Sequence, residues 1–230
     1  MSIAANIEQV EERILAACLR SGRKREEITL MGVTKFQPIE AIDEAYSGGL
    51  RCFGESRVQE ATGKFTGFRE GHPGTELHLV GGLQRNKAKL AASLFDCVQS
   101  LDRAALVDEL AKHTAGRDSP LPVLLEFRTG EDSKSGFADT DSLFRAVDLA
   151  CGYSSLSIRG LMTIAPNTIE ERPVRAAFRL LVKMRQELER RFSGGLWSCL
   201  SMGMSSDYEI AIEEGSTLIR IGSAIFGGRI

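Results

Sequence analysis

Lys35 stands at the end of an apolar run, Thr29 to Thr34, in the segment Val33-Thr34-Lys35-Phe36. A lysine is ordinarily a solvated surface group. One that ends a buried strand would point instead into the mouth formed by neighbouring loops. Partial desolvation there leaves a fraction of free amine able to attack an aldehyde, so Lys35 is a candidate imine former. Near the carboxyl terminus two more runs end in glycine and serine, Ser201-Met202-Gly203-Met204-Ser205 and Arg220-Ile221-Gly222-Ser223. Glycine lets backbone approach closely, Ser205 and Ser223 bring hydroxyls, and helices beginning near Ser206 and Ser223 would aim N–H groups at an anion. The same residues also serve simply to turn a chain.

Other chemistry is poorly supported. Cys18, Cys52, Cys97, Cys151 and Cys199 are scattered singly, which fits reduced thiols packed as small apolar side chains. His72, His78 and His113 are too dispersed to suggest zinc. His78 lies on an apolar run, where a histidine satisfied by its neighbours is more common than a proton carrier. Met162, Met202 and Met204 end or follow apolar runs and suit packing around a ring or the top of a core.

Positioning these groups requires a frame, and hydrophobic periodicity supplies one. Ile3, Ile7, Val10, Ile14 and Cys18 mark one face of an amino-terminal helix over 3–19. Beyond it short apolar runs alternate with helical stretches. Strands are expected at 29–34, 51–53, 77–80, 95–99, 123–128, 157–162, 197–200 and 217–220. Helices are expected to begin near Pro38 and to cover 57–66, 84–92, 102–114, 139–150, 169–191 and 206–213. Strands separated by helices pair in parallel, and eight such units in 230 residues match a closed (β/α)8 TIM barrel with an extra amino-terminal helix. An open doubly wound sheet is the competing arrangement.

No Pro- or Gly-rich linker divides the chain, so 1–230 is read as one domain. In a barrel, strand-to-helix loops carry function, and loops after strands seven and eight often hold a phosphate. An anion site beside an imine-forming lysine points to pyridoxal 5′-phosphate.

Composition narrows the remaining classes. Hydrophobic residues make up 43% and charged residues 26%, and the net charge is −2, which does not suit a nucleic-acid binder. No stretch approaches the ~18 apolar residues of a membrane span. Glu8, Glu11 and Glu12 lie where a signal peptide would be basic and then apolar. A cytoplasmic protein is expected, and a closed barrel with no free sheet edge suits a monomer.

Several segments in order resemble the pyridoxal phosphate homeostasis protein family, whose members share the fold of the alanine racemase amino-terminal domain. They are Val33-Thr34-Lys35 with Pro38, FGESRVQE at 53–60, LHLVGGLQRNK at 77–87, SKSG at 133–136, GLMTIAP at 160–166 and LSMGMSSDYEIAIEEGSTLIRIGSAIFGGR at 200–229. The resemblance implies that Lys35 holds the cofactor as a Schiff base. It also implies that the phosphate sits among Ser205, Gly222 and Ser223, that Arg220 faces the pyridine nitrogen, and that position 56 lies close to the ring; Met162 and Ser201, at or near strand ends, are expected to bind the cofactor as well. Ser56 stands where the family has Asn, Leu77 where it has Trp and Arg128 where it has Asn.

A cation beside the ring nitrogen disfavours its protonation and weakens the electron sink that carbanion chemistry needs. The expectation is therefore a non-catalytic protein of vitamin B6 homeostasis that passes its cofactor to pyridoxal phosphate-dependent apoenzymes. An amino-acid racemase is the alternative, but it needs a second acid–base group. Tyr46, Tyr153 and Tyr208, the tyrosines available, do not follow strands in positions that face the ring. A third reading is a barrel for another phosphorylated metabolite, with Lys35 as an aldolase-type imine former.

Overall fold

The computed structural model describes residues 2–130, 135–193 and 195–227. Ser133 and Lys134 of SKSG, and Gly228 and Arg229 at the end of the last motif, lie outside the described residues. The amino-terminal helix α1 (Ile3–Ser21) starts where Ser2 Oγ accepts the Ala5 N–H at 3.2 Å and stops at Gly22, whose φ of 68° suits a residue without a Cβ. It buries Ile7, Val10, Ile14, Ala17 and Cys18, the face expected from their spacing.

Eight parallel strands then close into a barrel in chain order. They are β1 (Thr29–Val33), β2 (Cys52–Glu55), β3 (Glu76–Leu79), β4 (Cys97–Leu101), β5 (Leu121–Glu126), β6 (Leu156–Met162), β7 (Cys199–Ser201) and β8 (Leu218–Ile221). Pairing of β8 with β1, Thr29 opposite Leu218 and Met31 opposite Arg220, closes the ring. The expected closed barrel is the fold observed, and the competing open sheet is excluded.

The connections are α2 (Ile39–Ser47), α3 (Val58–Phe65), α4 (Phe68–Gly71), α5 (Ala88–Leu94), α6 (Ala104–Thr114), α7 (Thr140–Cys151), α8 (Glu171–Arg191) and α9 (Tyr208–Glu213), with α10 (Ser223–Phe226) after β8. The short α4 was not expected, whereas α10 begins at Ser223, where a helix was anticipated. Gly67, at φ 85°, separates α3 from α4. β7 is shorter than its apolar run because Trp197 sits at φ 38°, outside any extended conformation.

Alternation along each strand sorts the core into two parts. Leu30, Phe53, Leu77, Val123, Leu125 and Leu161 join one large cluster with helix residues such as Ile42, Val107 and Phe178. The residues between them face inward as smaller clusters, Met31 with Cys52 and Leu218, and Cys97 with Leu124 and Met162. Gly54 makes room for this interior, since a Cβ there would lie 2.6 Å from Met31 Sδ. All five cysteines are free thiols.

Candidate functional site

Above the inward-facing residues a cavity of about 660 Å³ opens at the carboxyl ends of the strands, lined by Lys35, Ser56, Ser205, Arg220, Gly222 and Ser223 among others. That size lies within the range of small-molecule sites. β1 and β8 are hydrogen-bonded neighbours, with Gly32 opposite Ile221, so the loop carrying Lys35 and the turn at Gly222 leave the barrel side by side.

Lys35 lies two residues beyond Val33, the last residue of β1. It is exposed on the cavity rim, whereas a strand-end position would have desolvated it. The flanking peptides are tied down. Thr34 is buried and donates its N–H to the Gly54 carbonyl at 2.9 Å and its hydroxyl to Glu55 Oε1 at 2.7 Å. Lys64 Nζ, on α3, donates to the Thr34 carbonyl at 2.8 Å and reaches Glu55 Oε1 at 2.9 Å and Glu60 Oε1 at 2.6 Å. Glu60 Oε1 also accepts the N–H of Phe36 at 2.6 Å. Phe36 holds φ at 63°, a conformation an L-residue keeps only when its surroundings fix it.

Burial raises the Glu55 carboxyl from its usual range, partly offset by its bonds to Thr34 and Lys64. Glu60 is lowered: burial acts against the charge, but Lys64 and the Phe36 N–H outweigh it.

The side expected to face an anion is built from backbone. Ser205 Oγ accepts the N–H groups of Gly222 at 3.3 Å and Ala224 at 3.2 Å, bringing the loop after β7 and the turn after β8 together. Asp207 Oδ1 accepts the Met204 N–H at 2.6 Å and fixes the loop below Ser205. Ser223 is exposed at the rim.

Arg220 is 5% exposed and still lines the cavity. Its guanidinium donates to Ser201 Oγ and to the Thr163 carbonyl, each at 2.7 Å. Neither acceptor is charged. Burial pushes Arg220 down to about 10, partly offset by the carboxylates of Asp207 and Glu126, so it stays cationic at neutral pH.

Two expected residues sit elsewhere. Met162 is buried within the barrel against Cys97 and Leu124, and Ile164, two residues on, lines the cavity in its place. The inward alternation of β6 continues past the strand end, so the rim position falls to Ile164. Ser201 is fully buried, accepts from the Arg220 guanidinium and does not line the cavity. Met204 lines the cavity, while Met202 belongs to the outer core. Arg128 bonds the Gly136 carbonyl at 3.4 Å and is not among the lining residues.

None of the tyrosines lines the cavity: Tyr46 bonds the Pro73 carbonyl, Tyr153 bonds Asp108, and Tyr208 is buried in α9. Gly81, Gln37 and Asn167 line it and were not anticipated. Glu60 and Lys64 were also missed, although Glu60 lies within FGESRVQE and the pair is spaced one helical turn apart.

A second hollow, of about 740 Å³, lies among α1, α8 and α9. Its arginines are paired with its own glutamates, Arg20 and Arg175 with Glu213 and Arg13 with Glu209, so its charge is already matched.

The residues fit a phosphorylated aldehyde. The donor set offers hydroxyls for a phosphate, with Ser205 held by two backbone N–H groups, a guanidinium whose two hydrogen-bond acceptors are uncharged, and a primary amine.

Comparison with known proteins agrees with this geometry. The family model for the alanine racemase N-terminal domain matches residues 3–230. The pyridoxal phosphate homeostasis protein of Vibrio cholerae is 41% identical over 231 residues, covering 99% of this chain and 97% of that one. The structure of PipY from Synechococcus elongatus with pyridoxal phosphate bound superposes with a TM-score of 0.83 at 34% identity, covering 95% of this chain and 100% of that one. A protein of unknown function from Bifidobacterium adolescentis superposes with a TM-score of 0.90 at 33% identity, covering 97% and 94%.

Proposed function

The chain belongs to the pyridoxal phosphate homeostasis proteins within the alanine racemase N-terminal domain family, and from that premise we propose that it holds pyridoxal 5′-phosphate on Lys35 without turning over a substrate. The observation that carries the reading is the convergence of Lys35, Arg220 and the Ser205–Gly222 turn on one cavity. Bound there, the cofactor supplies an aldehyde open to a primary amine and an anionic phosphate.

Lys35 is the amine, held in place because Lys64 and Glu60 grip the peptides on either side of it. The hydroxyls of Ser205 and Ser223 take the phosphate; Ser205 Oγ accepts the N–H groups of Gly222 and Ala224, which leaves its proton free to donate. Arg220 meets the ring nitrogen as a donor, because a guanidinium cannot accept a proton or a hydrogen bond. The ring nitrogen is thereby kept unprotonated, which weakens the electron sink on which transamination and racemisation depend. The absence of any tyrosine from the cavity lining supports holding over racemisation, since a two-base exchange needs an acid on the opposite face. Delivery to pyridoxal phosphate-dependent apoenzymes by a cytoplasmic monomer is part of the same proposal.

The test is absorbance together with turnover. Protein mixed with pyridoxal phosphate should acquire a visible band that Lys35→Ala lacks, with no racemisation of alanine above a blank. Sustained racemisation that depends on Lys35 would overturn the holding role, and a colourless wild type would favour the aldolase-type reading.

A further inference from the structure

Beneath Arg220 a line of buried polar side chains crosses the inside of the barrel. Arg220 Nη1 donates to Ser201 Oγ at 2.7 Å, Ser201 Oγ lies 2.6 Å from Gln99 Oε1, and Gln99 Nε2 lies 2.8 Å from His78 Nδ1. Gln99 and Ser201 are fully buried. His78 borders a separate cavity of about 720 Å³, lined also by Thr29, Glu76, Cys97 and Leu218, the first residues of their strands. The line therefore runs from the carboxyl-end cavity to the amino-end opening.

Its proton directions follow from its first member. A guanidinium only donates, so Ser201 Oγ accepts from Arg220. The serine proton then points to Gln99 Oε1, which turns the amide nitrogen toward His78 and makes Nδ1 an acceptor. The opposite amide orientation would aim two donors at Ser201 and leave its buried proton without an acceptor among the described residues. His78 is thus a neutral imidazole with its proton on Nε2, directed toward Glu76 Oε2 at 3.7 Å. Cys52, Glu76 and His78 come within 4.8 Å of one another, a grouping of metal-ligating types brought together by neighbouring strands. With Nε2 protonated and the Cys52 thiol pushed up by burial, the three do not present the lone pairs a metal requires.

We propose that Gln99 is a positioning residue for Arg220: it dictates the direction of the Ser201 hydroxyl, keeps the Ser201 lone pairs on the guanidinium, and is itself oriented by the Nε2–H tautomer of His78. The link from Arg220 to the bound ring rests on the function proposed above, whereas the tautomer of His78 does not depend on it.

Two substitutions and two readouts separate these parts. In cofactor-free wild type, ¹⁵N NMR of the histidine rings should show His78 with Nδ1 unprotonated and Nε2 protonated. Gln99→Leu removes both hydrogen bonds. It should leave the tautomer unfixed and weaken pyridoxal phosphate binding, followed by absorbance titration, by roughly tenfold or more. Gln99→Glu, when ionised, still accepts from Ser201 but cannot donate to His78. It should move the proton to Nδ1 and keep cofactor affinity within about threefold of wild type. If Gln99→Leu does not fold, the tautomer change in Gln99→Glu tests the same chain. A wild-type His78 carrying its proton on Nδ1, a Gln99→Leu variant binding as wild type does, or a Gln99→Glu variant whose carboxyl is ionised by its ¹³C shift and whose His78 proton is unmoved would each overturn the proposal. A wild type with the expected tautomer and no affinity for pyridoxal phosphate would count against the proposed function and leave the hydrogen-bond directions standing.

Discussion

The ammonium of Lys64 lies 2.8 Å from the carbonyl oxygen of Thr34, so α3 holds the loop that presents Lys35 through the residue just before it. The same ammonium neutralises Glu55, whose side chain is wholly buried.

Replacing Lys64 with methionine removes that cation while keeping most of its length. Glu55 then faces burial without its charge partner, a change that costs on the order of 3 kcal/mol of stability at neutral pH. The pH dependence follows from the direction of the shift. Burial already raises the folded Glu55 above its unfolded value, and loss of Lys64 raises it further. The folded variant therefore binds a proton more tightly than the unfolded chain, and its deficit relative to wild type should shrink as pH falls toward the unfolded carboxyl range near ~4.3. Denaturant titrations of both proteins at neutral and mildly acid pH measure this. A deficit that grows with acidity would contradict it.

Ser205 tests the phosphate side. If its hydroxyl, held by the N–H groups it accepts, binds the phosphate, pyridoxal without its phosphate should bind at least about 100-fold more weakly than pyridoxal phosphate. Ser205→Ala should narrow that difference by roughly tenfold, mainly by weakening the phosphorylated form. Competition titrations with the two aldehydes provide the comparison. Equal loss for both would place Ser205 away from the phosphate.

Gly81 and Gly82 make a matched pair. A Cβ on Gly81 would lie 2.3 Å from the carbonyl oxygen of Ser56 and 2.7 Å from its Cα, so Gly81→Ala must push the Ser56 backbone out of its place in the cavity wall. The expected cost is about 1–3 kcal/mol with weakened cofactor binding. At Gly82 a Cβ meets nothing within 4 Å, and Gly82→Ala should stay within about 0.5 kcal/mol of wild type. Thermal melts and absorbance titrations of the two variants decide the matter.

The frame of the site was legible because it depends on periodicity and order. Lys35 follows the first strand and Gly222 follows the last, and closure of the ring makes those two ends neighbours. What surrounds them was less so. Glu60 and Lys64 sit on a helix whose surface charges look like any solvated pair until the fold sets that helix beside Thr34. Met162 and Ser201 stand near the right strand ends, but which residue reaches the rim depends on where each strand stops. Gln99 and His78 lie on adjacent apolar runs, and only parallel pairing within a closed barrel turns them toward Ser201.

Mass spectrometry after borohydride reduction tests the central claim most directly. Protein incubated with pyridoxal phosphate, reduced and digested should carry one phosphopyridoxyl group, on the peptide that contains Lys35, and Lys35→Ala should carry none. An adduct on another lysine, Lys64 included, with Lys35 unmodified would contradict the account.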